Sequence, residues 1–439
     1  MFSRTIEELE QDARKKLVID MRSAADYEKE TYPGAVNIDK DNFEEHIVEL
    51  PKDKPIYLLC YTGQKSDEIA ETLSEQGYEI YSIEGGYRSW LRVKLARLME
   101  QPEEAENRAR DIERSIIKKF RKEIWRKFTR AINEYELIKD GDKIAVCISG
   151  GKDSMLMAKL FQELLRHGKK NFELVFLVMN PGYNEINYET IVNNAKLLEV
   201  PITVFKTEIF DIVAGQKFGE LQSDLTGSQG EAAGSHSGAI GSQGDPVGSQ
   251  GDSVGSRGDS VGSRGEPVGS PCYLCARMRR GYLYSKAKEL GCNKIALGHH
   301  YDDVIETILM GMLYGGQMQT MMPKLHSTNF EGMELIRPLY LVRETDIIHW
   351  ANYNKLHFIQ CACRFTESCA SCGGTEKGSK RAEIKELIRQ LAAKDPVIEN
   401  NIFRSVENVN LSTVIAYKKD GVKHHFLDTY DKDSGDMQE

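Results

Sequence analysis

Ser149-Gly150-Gly151-Lys152-Asp153-Ser154, placed directly after the apolar run Ile144 to Ile148, decides how this chain is read. An apolar strand that breaks into glycines and re-enters a helical pattern offers bare backbone N–H groups and the positive end of a helix dipole to an anion. The expected ligand is a phosphate chain. A Walker A loop needs four residues between its first glycine and its Gly-Lys-Ser/Thr end, and this turn is too short to be one. A hydrolase of the Ras kind is thereby set aside. Gly150 and Gly151 let the backbone approach a pyrophosphate, and Lys152, Ser149 and Ser154 add charge and hydroxyl donors. Asp153 is expected to bear on magnesium or on the geometry of the loop itself.

The string resembles the PP-loop, SGGxDS, of enzymes that use ATP to adenylate a carbonyl or ureido oxygen and release pyrophosphate. Strands are legible around it at Lys143 to Ile148, Phe172 to Met179, Ile202 to Phe205 and Lys294 to Leu297, with helical patterns between them. That alternation predicts an α/β fold with a doubly wound parallel sheet, like that of the adenine nucleotide alpha hydrolases, and a ligand at the carboxyl ends of its strands. The segment Gly298-His299-His300-Tyr301-Asp302-Asp303-Val304-Ile305-Glu306-Thr307 brings polar groups to the same edge. Asp302, Asp303 and Glu306 are expected there either to face magnesium or to cap the following helix.

A chain of 439 residues exceeds one core and predicts two or three domains. Its net charge of -9 speaks against a protein that is basic all over. Local charge differs. Between Arg114 and Ile132, seven basic residues, Lys118, Lys119, Arg121, Lys122, Arg126, Lys127 and Arg130, interleave with apolar ones at three- and four-residue steps. This predicts an amphipathic helix whose positive face is either solvated or set against an RNA backbone. Nine cysteines, including two CxxC pairs, in a sequence read as lacking a secretory signal point to thiol chemistry or metal ligation in a reducing cytoplasm. No apolar run approaches bilayer length, so no membrane association is expected and the localisation expected is cytoplasmic.

Residues 1–97 alternate short apolar runs with helical patterns, as in Leu17 to Asp20, Pro55 to Cys60 and Tyr78 to Ile83, which predicts a small α/β domain with a mostly parallel sheet. Cys60 falls at a strand end and is followed by Tyr61-Thr62-Gly63-Gln64-Lys65-Ser66 and a helical stretch. Loop N–H dipoles and the nearby Lys65 favour its thiolate. With Asp20-Met21-Arg22, Pro33-Gly34-Ala35-Val36-Asn37 and Glu84-Gly85-Gly86-Tyr87, the segment resembles a rhodanese domain. The resemblance implies that Cys60 carries a persulfide and shuttles sulfur. Tyr61 and Lys65 stand where that family often has arginine, so the sulfur donor, a cysteine desulfurase or thiosulfate, is left open. Residues 98–139 read as a helical connector with a hinge near Gln101-Pro102, long enough to let the first domain swing, and the PP-loop domain spans 140–430. Within it, residues 219–270 collapse into near-repeats such as GSQGDSV, a composition that builds no core and reads as a disordered insertion.

After the repeats comes Pro271-Cys272-Tyr273-Leu274-Cys275-Ala276-Arg277-Met278-Arg279-Arg280-Gly281. Two thiolates at this spacing suit one metal centre beside basic residues. A structural zinc needs four closed ligands, whereas an iron–sulfur cluster operates with three cysteines and one exposed iron. Cys361, Cys363, Cys369 and Cys372 could supply the missing ligand or form their own zinc site. Together with Arg337-Pro338-Leu339, these motifs make residues 110 to 430, apart from the repeats, similar to the tRNA 2-thiocytidine synthetase family of TtcA-like PP-loop ATPases.

The resemblance implies a 4Fe-4S cluster on Cys272, Cys275 and Cys361, with Cys363 next in order and an extra pair, Cys369 and Cys372, departing from the pattern. It further implies ATP and Mg2+ at Ser149 to Ser154, tRNA as substrate with cytidine 32 of the anticodon loop as the target, and a homodimer. Two other readings stay open: a tRNA uridine thiolase of the same superfamily, and a non-catalytic sulfur carrier or redox sensor that binds zinc.

Overall fold

Two near-continuous apolar strands, Ile56–Leu59 and Lys143–Ile148, each become the middle of a separate parallel sheet. Burial on both faces is what such runs require. The computed structural model describes residues 2–211, 271–359 and 380–430; the repeats at 219–270 and Cys361, Cys363, Cys369 and Cys372 lie outside the described residues. The first sheet contains β1 (Ser3–Arg4), β2 (Leu17–Asp20), β3 (Val36–Asn37), β4 (Ile56–Leu59) and β5 (Ile80–Ile83) in the order β1-β5-β4-β2-β3, all parallel. Cys60 follows the central strand and so emerges between the carboxyl ends of β2 and β5.

The second sheet contains β6 (Lys143–Ile148), β7 (Glu173–Asn180), β8 (Ile202–Lys206), β9 (Lys294–Ala296), β10 (Lys324–His326) and β11 (Glu334–Ile336), in the order β10-β11-β9-β6-β7-β8. Within this sheet the edge pair β10–β11 is antiparallel and the other described pairs are parallel. The chain winds from β6 through β7 to β8 in one direction and returns on the other side of β6 with β9. Strand order therefore reverses at β6, and the loop at its carboxyl end, Ser149 to Gly151, lies at the switch point where open α/β sheets bind ligands. The fold class is the α/β class expected. Helices Lys380–Lys394 and Val397–Ser405, which no motif announces, bury Ile384, Ile388 and Phe403 against the helix Tyr301–Gly315. No helix among the described residues is long and apolar enough to cross a membrane.

The two sheets meet along a packed seam, which corrects the expectation of a swinging first domain. Helix Gly86–Met99 runs out of the first sheet and places Leu95, Leu98 and Met99 against the second core. Arg92 pairs with Glu189 at 3.3 Å, Arg108 donates to the Asn354 carbonyl at 2.9 Å, and Glu30 binds His357. Gln101-Pro102 is a turn between packed helices, with Pro102 opening the next one, Pro102–Ile117.

The basic amphipathic segment is helical but broken. Its buried residues Ile116, Phe120, Ile124, Phe128 and Ile132 recur every four positions. Each such step overshoots a 3.6-residue turn by about 40°, so a straight helix would rotate them off the core. A wide turn at Arg121–Trp125, in which the Phe120 and Trp125 N–H groups reach the Ser115 and Phe120 carbonyls five residues back, restores the register before Arg126–Glu134. Lys118, Lys119, Arg121, Lys122, Arg126 and Arg130 remain exposed, while Lys127 pairs with Asp346 at 3.0 Å.

Lys159 is fully buried beneath this segment, its ammonium 2.6 Å from Glu113 and 2.8 Å from the Leu198 carbonyl. Burial holds its pKa below the ordinary lysine value, against the pull of Glu113. Removing one partner of such a pair leaves an uncompensated charge, so Glu113→Ala is expected to destabilise the second unit by roughly 2–4 kcal/mol. A lowered urea midpoint measures it, with Glu113→Gln recovering part of the loss.

Candidate functional site

The first candidate residue, Cys60, sits in a tight loop. Cys60 is buried, and its Sγ accepts from the Gly63 N–H at 3.1 Å with Ser66 Oγ at 3.2 Å. Its carbonyl accepts from Tyr87 N at 2.8 Å, which folds the loop under the start of helix Gly86–Met99. Gly86 makes this approach possible: at φ +59°, a Cβ there would sit 2.2 Å from the Cys60 carbonyl oxygen. Lys65, expected to favour the thiolate, pairs outward with Glu68 at 2.8 Å instead. The loop amide and hydroxyl are what face the sulfur. Beside them, buried Asp20 and Arg22 pair at 2.6 Å, and Arg22 lies 3.3 Å from the centre of the Tyr87 ring.

In the second unit, β6 leads into Ser149 and Gly150, and Gly151 caps helix Lys152–His167 with no side-chain hydrogen bond to its first turn. Its first-turn N–H groups are thus available to a ligand. Ser154 Oγ bonds back to the Gly151 carbonyl at 3.0 Å and lies 3.2 Å from Ser149 Oγ, so these hydroxyls brace the loop as well as edging it. Lys152 reaches Asp153 at 3.2 Å and Glu344 at 3.1 Å. Burial opposes the ammonium, but the two carboxylates outweigh it and keep the Lys152 pKa above its ordinary value. Burial likewise raises Asp153, against the pull of Lys152, and its Oδ1 is buried without a hydrogen-bond donor among the described residues. Glu344 is held down at about 2: burial pushes it up, and Lys385 and Lys152 more than reverse this.

The acids after β9 are absorbed into the scaffold. Asp302 accepts from Arg343 at 3.0 Å and caps the helix Glu344–Tyr353 through the Glu344 N–H at 2.6 Å. Asp303 forms a capping box with His300, its Oδ2 taking the His300 N–H at 3.0 Å, and also pairs with Arg381. Glu306 meets Arg381 at 2.6 Å. Of these three, Asp303 alone caps the following helix, as one expectation had it, while Asp302 holds the start of another helix and Glu306 pairs with Arg381. Sequence reasoning missed Glu344, which Asp302 positions against Lys152. Arg343-Glu344, just after the Arg-Pro-Leu motif, was the available signal.

A cavity of about 890 Å³ lies between the units, and its walls include Tyr61, Tyr87 and Arg88 from one and Gly151, Lys152 and Asp153 from the other. The cysteine loop and the glycine turn thus open toward one space. Cys275 lies half-buried on helix Pro271–Glu289, against the second core. Cys272 belongs to the same helix, but its side chain is outside the described residues, as is the whole of Cys361. Among the described residues no three His, Cys, Asp or Glu side chains form a metal-binding group. Burial pushes the Cys147 thiol up to about 12, which makes it an inert core residue.

The Rhodanese-like domain family matches residues 5–92, and the PP-loop domain family matches residues 274–363. The tRNA-cytidine(32) 2-sulfurtransferase of Alcanivorax borkumensis is 31% identical over 299 residues, 67% of this chain and 84% of that protein. Its counterpart in Paraburkholderia xenovorans is 30% identical over 68% of this chain and 72% of its own length. Among solved structures, the U34-tRNA thiolase NcsA from Methanococcus maripaludis with its 4Fe-4S cluster aligns at 21% identity, covering 66% of this chain and 78% of that one, with a TM-score of 0.43.

Proposed function

The chain belongs to the tRNA-cytidine(32) 2-sulfurtransferase family, and from that premise we propose that it thiolates tRNA in an ATP-dependent reaction, exchanging the C2 oxygen of cytidine 32 for sulfur that enters at Cys60. The observation that carries this reading is the space shared by the cysteine loop and the glycine turn. The loop that carries the thiol, through Tyr61, and the phosphate-binding turn, through Gly151, line one cavity, where their products can meet.

ATP, as co-substrate, supplies the adenylyl group that turns the C2 oxygen into a leaving group. The residues fit it. The first turn after Gly151, with no side-chain cap, offers N–H donors, and Gly150 and Gly151 keep side chains out of their way. Lys152, kept protonated by its neighbours, meets phosphate charge, with Glu344 and Lys385 holding it in reach. Asp153 Oδ1, which accepts no hydrogen bond among the described residues and has His300 Nε2 4.0 Å away, fits a magnesium ion, which commonly takes one or two protein carboxylates and completes its shell with phosphate and water. Cys272, Cys275 and Cys361 are the residues that would hold a 4Fe-4S cluster, which would supply sulfur-binding chemistry beside the activated base. The exposed cations between Lys118 and Arg130 suit the phosphate backbone of tRNA, an interaction that weakens steeply with salt. A persulfide donor, a cysteine desulfurase or thiosulfate, loads Cys60, and an external thiol supplies the two electrons that bring the outer sulfur to the sulfide level it has in the thiolated base, leaving Cys60 as a thiolate.

The test is an anaerobic reaction of the full chain with ATP, unmodified tRNA, a persulfide source and a thiol reductant, scored by mass spectrometry of the digested nucleosides. The expected product is 2-thiocytidine, formed only with ATP, from a protein that contains iron and acid-labile sulfide. Thiouridine in its place would assign the chain to uridine thiolation. No thionucleoside, together with zinc as the sole metal, would make it a carrier or sensor.

A further inference from the structure

Cys60 stands beside the shared cavity rather than in its wall. Its Sγ turns into its own loop, toward Gly63 N and Ser66 Oγ, and the residues nearby that face the space include Tyr61, Tyr87, Arg88 and Arg22, the last of them held by Asp20. Arg88 comes one residue after Tyr87, whose N–H is bound to the Cys60 carbonyl. Its guanidinium lies 4.6 Å from the centre of the Tyr61 ring, and one terminal nitrogen donates across the seam to Asn187 Oδ1 at 3.3 Å.

The Arg88 Nε is buried and has no acceptor among the described residues. The acids around it are committed elsewhere: Glu189 to Arg92, Glu30 to Lys94 and His357, and Asp20 to Arg22. A buried guanidinium donor left without an acceptor at the edge of a cavity fits an anion that is not part of the chain.

We propose that Arg88 binds the outer sulfur of a Cys60 persulfide and turns it toward the PP-loop unit. The proposal rests on the persulfide reading of Cys60. A persulfide ends in an anionic sulfur one S–S bond, about 2.0 Å, beyond Sγ. The loop offers that sulfur no cation of its own, because Tyr61 follows the cysteine and Lys65 is paired with Glu68. Helix Gly86–Met99 supplies the charge, and its bond to Asn187 aims the charge at the seam. Arg88 is a positioning residue, since the sulfur it holds is bonded to another group.

The test loads the full chain with sodium polysulfide and follows iodoacetamide capture of the persulfide on the Cys60 peptide across pH. A cation in contact with the anion lowers the pH at which capture is half-maximal, so Arg88→Gln is expected to raise that midpoint by about one unit. Arg88→Lys, which keeps the charge, is expected to stay near the parent. Asn187→Ala removes only the bond across the seam and is expected to move the midpoint by less than a third as much. A midpoint unmoved in Arg88→Gln, with Cys60 fully loaded and the thermal midpoint unchanged, overturns the role of Arg88 and leaves the thiolation reading intact. Failure of the parent chain to load Cys60 overturns both.

Discussion

Cys60→Ser is expected to cut persulfide-fed formation of 2-thiocytidine by at least about 100-fold, the scale on which loss of a covalent nucleophile ordinarily acts. Serine preserves the shape of the loop and can still accept from Gly63 N, which Cys60 holds at 3.1 Å, so folding is expected to be kept. A hydroxyl carries no sulfur. Feeding sodium sulfide in place of persulfide bypasses the first unit, and there the variant is expected to run within about twofold of the parent. AMP release in the sulfide-fed reaction should be equally unaffected, because the glycine turn lies in the other sheet. Equal loss with both sulfur sources would mean that Cys60 acts on the structure of the seam and not as a carrier.

The second large effect is expected at Gly150. Its φ of +85° is strained for any residue with a Cβ, at a cost of about 1–2 kcal/mol. The added methyl would also sit 2.5 Å from Ile191 Cγ1 and 2.7 Å from Ile359 Cδ1. Ile191 is fully buried on Glu185–Leu197, the helix against which Gly86–Met99 packs, so the displacement reaches the seam as well as the phosphate turn. Gly150→Ala is therefore expected to lower ATP-dependent thiolation by roughly 100-fold, since small misplacements of a binding turn carry penalties of that order. It should also lower the thermal midpoint by several degrees. Adding Ile191→Ala removes the contact at Ile191 but neither the contact at Ile359 nor the strain in φ, so the double variant should recover little of the activity. Full recovery of activity would place the cost in packing alone.

Much of the fold was legible because parallel strands buried on both faces leave unmistakable apolar runs: Lys143 to Ile148 is both the expected and the observed β6. The short edge pair β10–β11 was not, since three-residue strands such as Lys324–His326 leave no period to read. The kink at Arg121–Trp125 was half visible. The four-residue spacing of Ile116, Phe120, Ile124 and Phe128 already exceeds an α-helical turn, but only the wide turn shows how the excess is absorbed.

At the site, glycine spacing marks a phosphate turn because backbone approach demands glycine. Glu344 is marked only by its place after the Arg-Pro-Leu motif and Arg88 by nothing, because their importance comes from contacts 192 positions away, at Lys152, and 99 positions away, at Asn187. Lys65 misled for the same reason: proximity in sequence put a cation beside Cys60, and a surface glutamate took it away. The seam is likewise a tertiary property. Leu95, Leu98 and Met99 look like the end of an ordinary helix until the second core receives them.

The central claim, that sulfur crosses from Cys60 to the base within one chain, is tested most directly by a single turnover. The full chain, loaded at Cys60 with heavy-isotope sulfur and freed of excess reagent, is given ATP and unmodified tRNA in the presence of ordinary sulfide. The account predicts that the first 2-thiocytidine formed carries the heavy isotope, and that Arg88→Gln slows its appearance. Product bearing only ordinary sulfur, with the label still on Cys60, would contradict it.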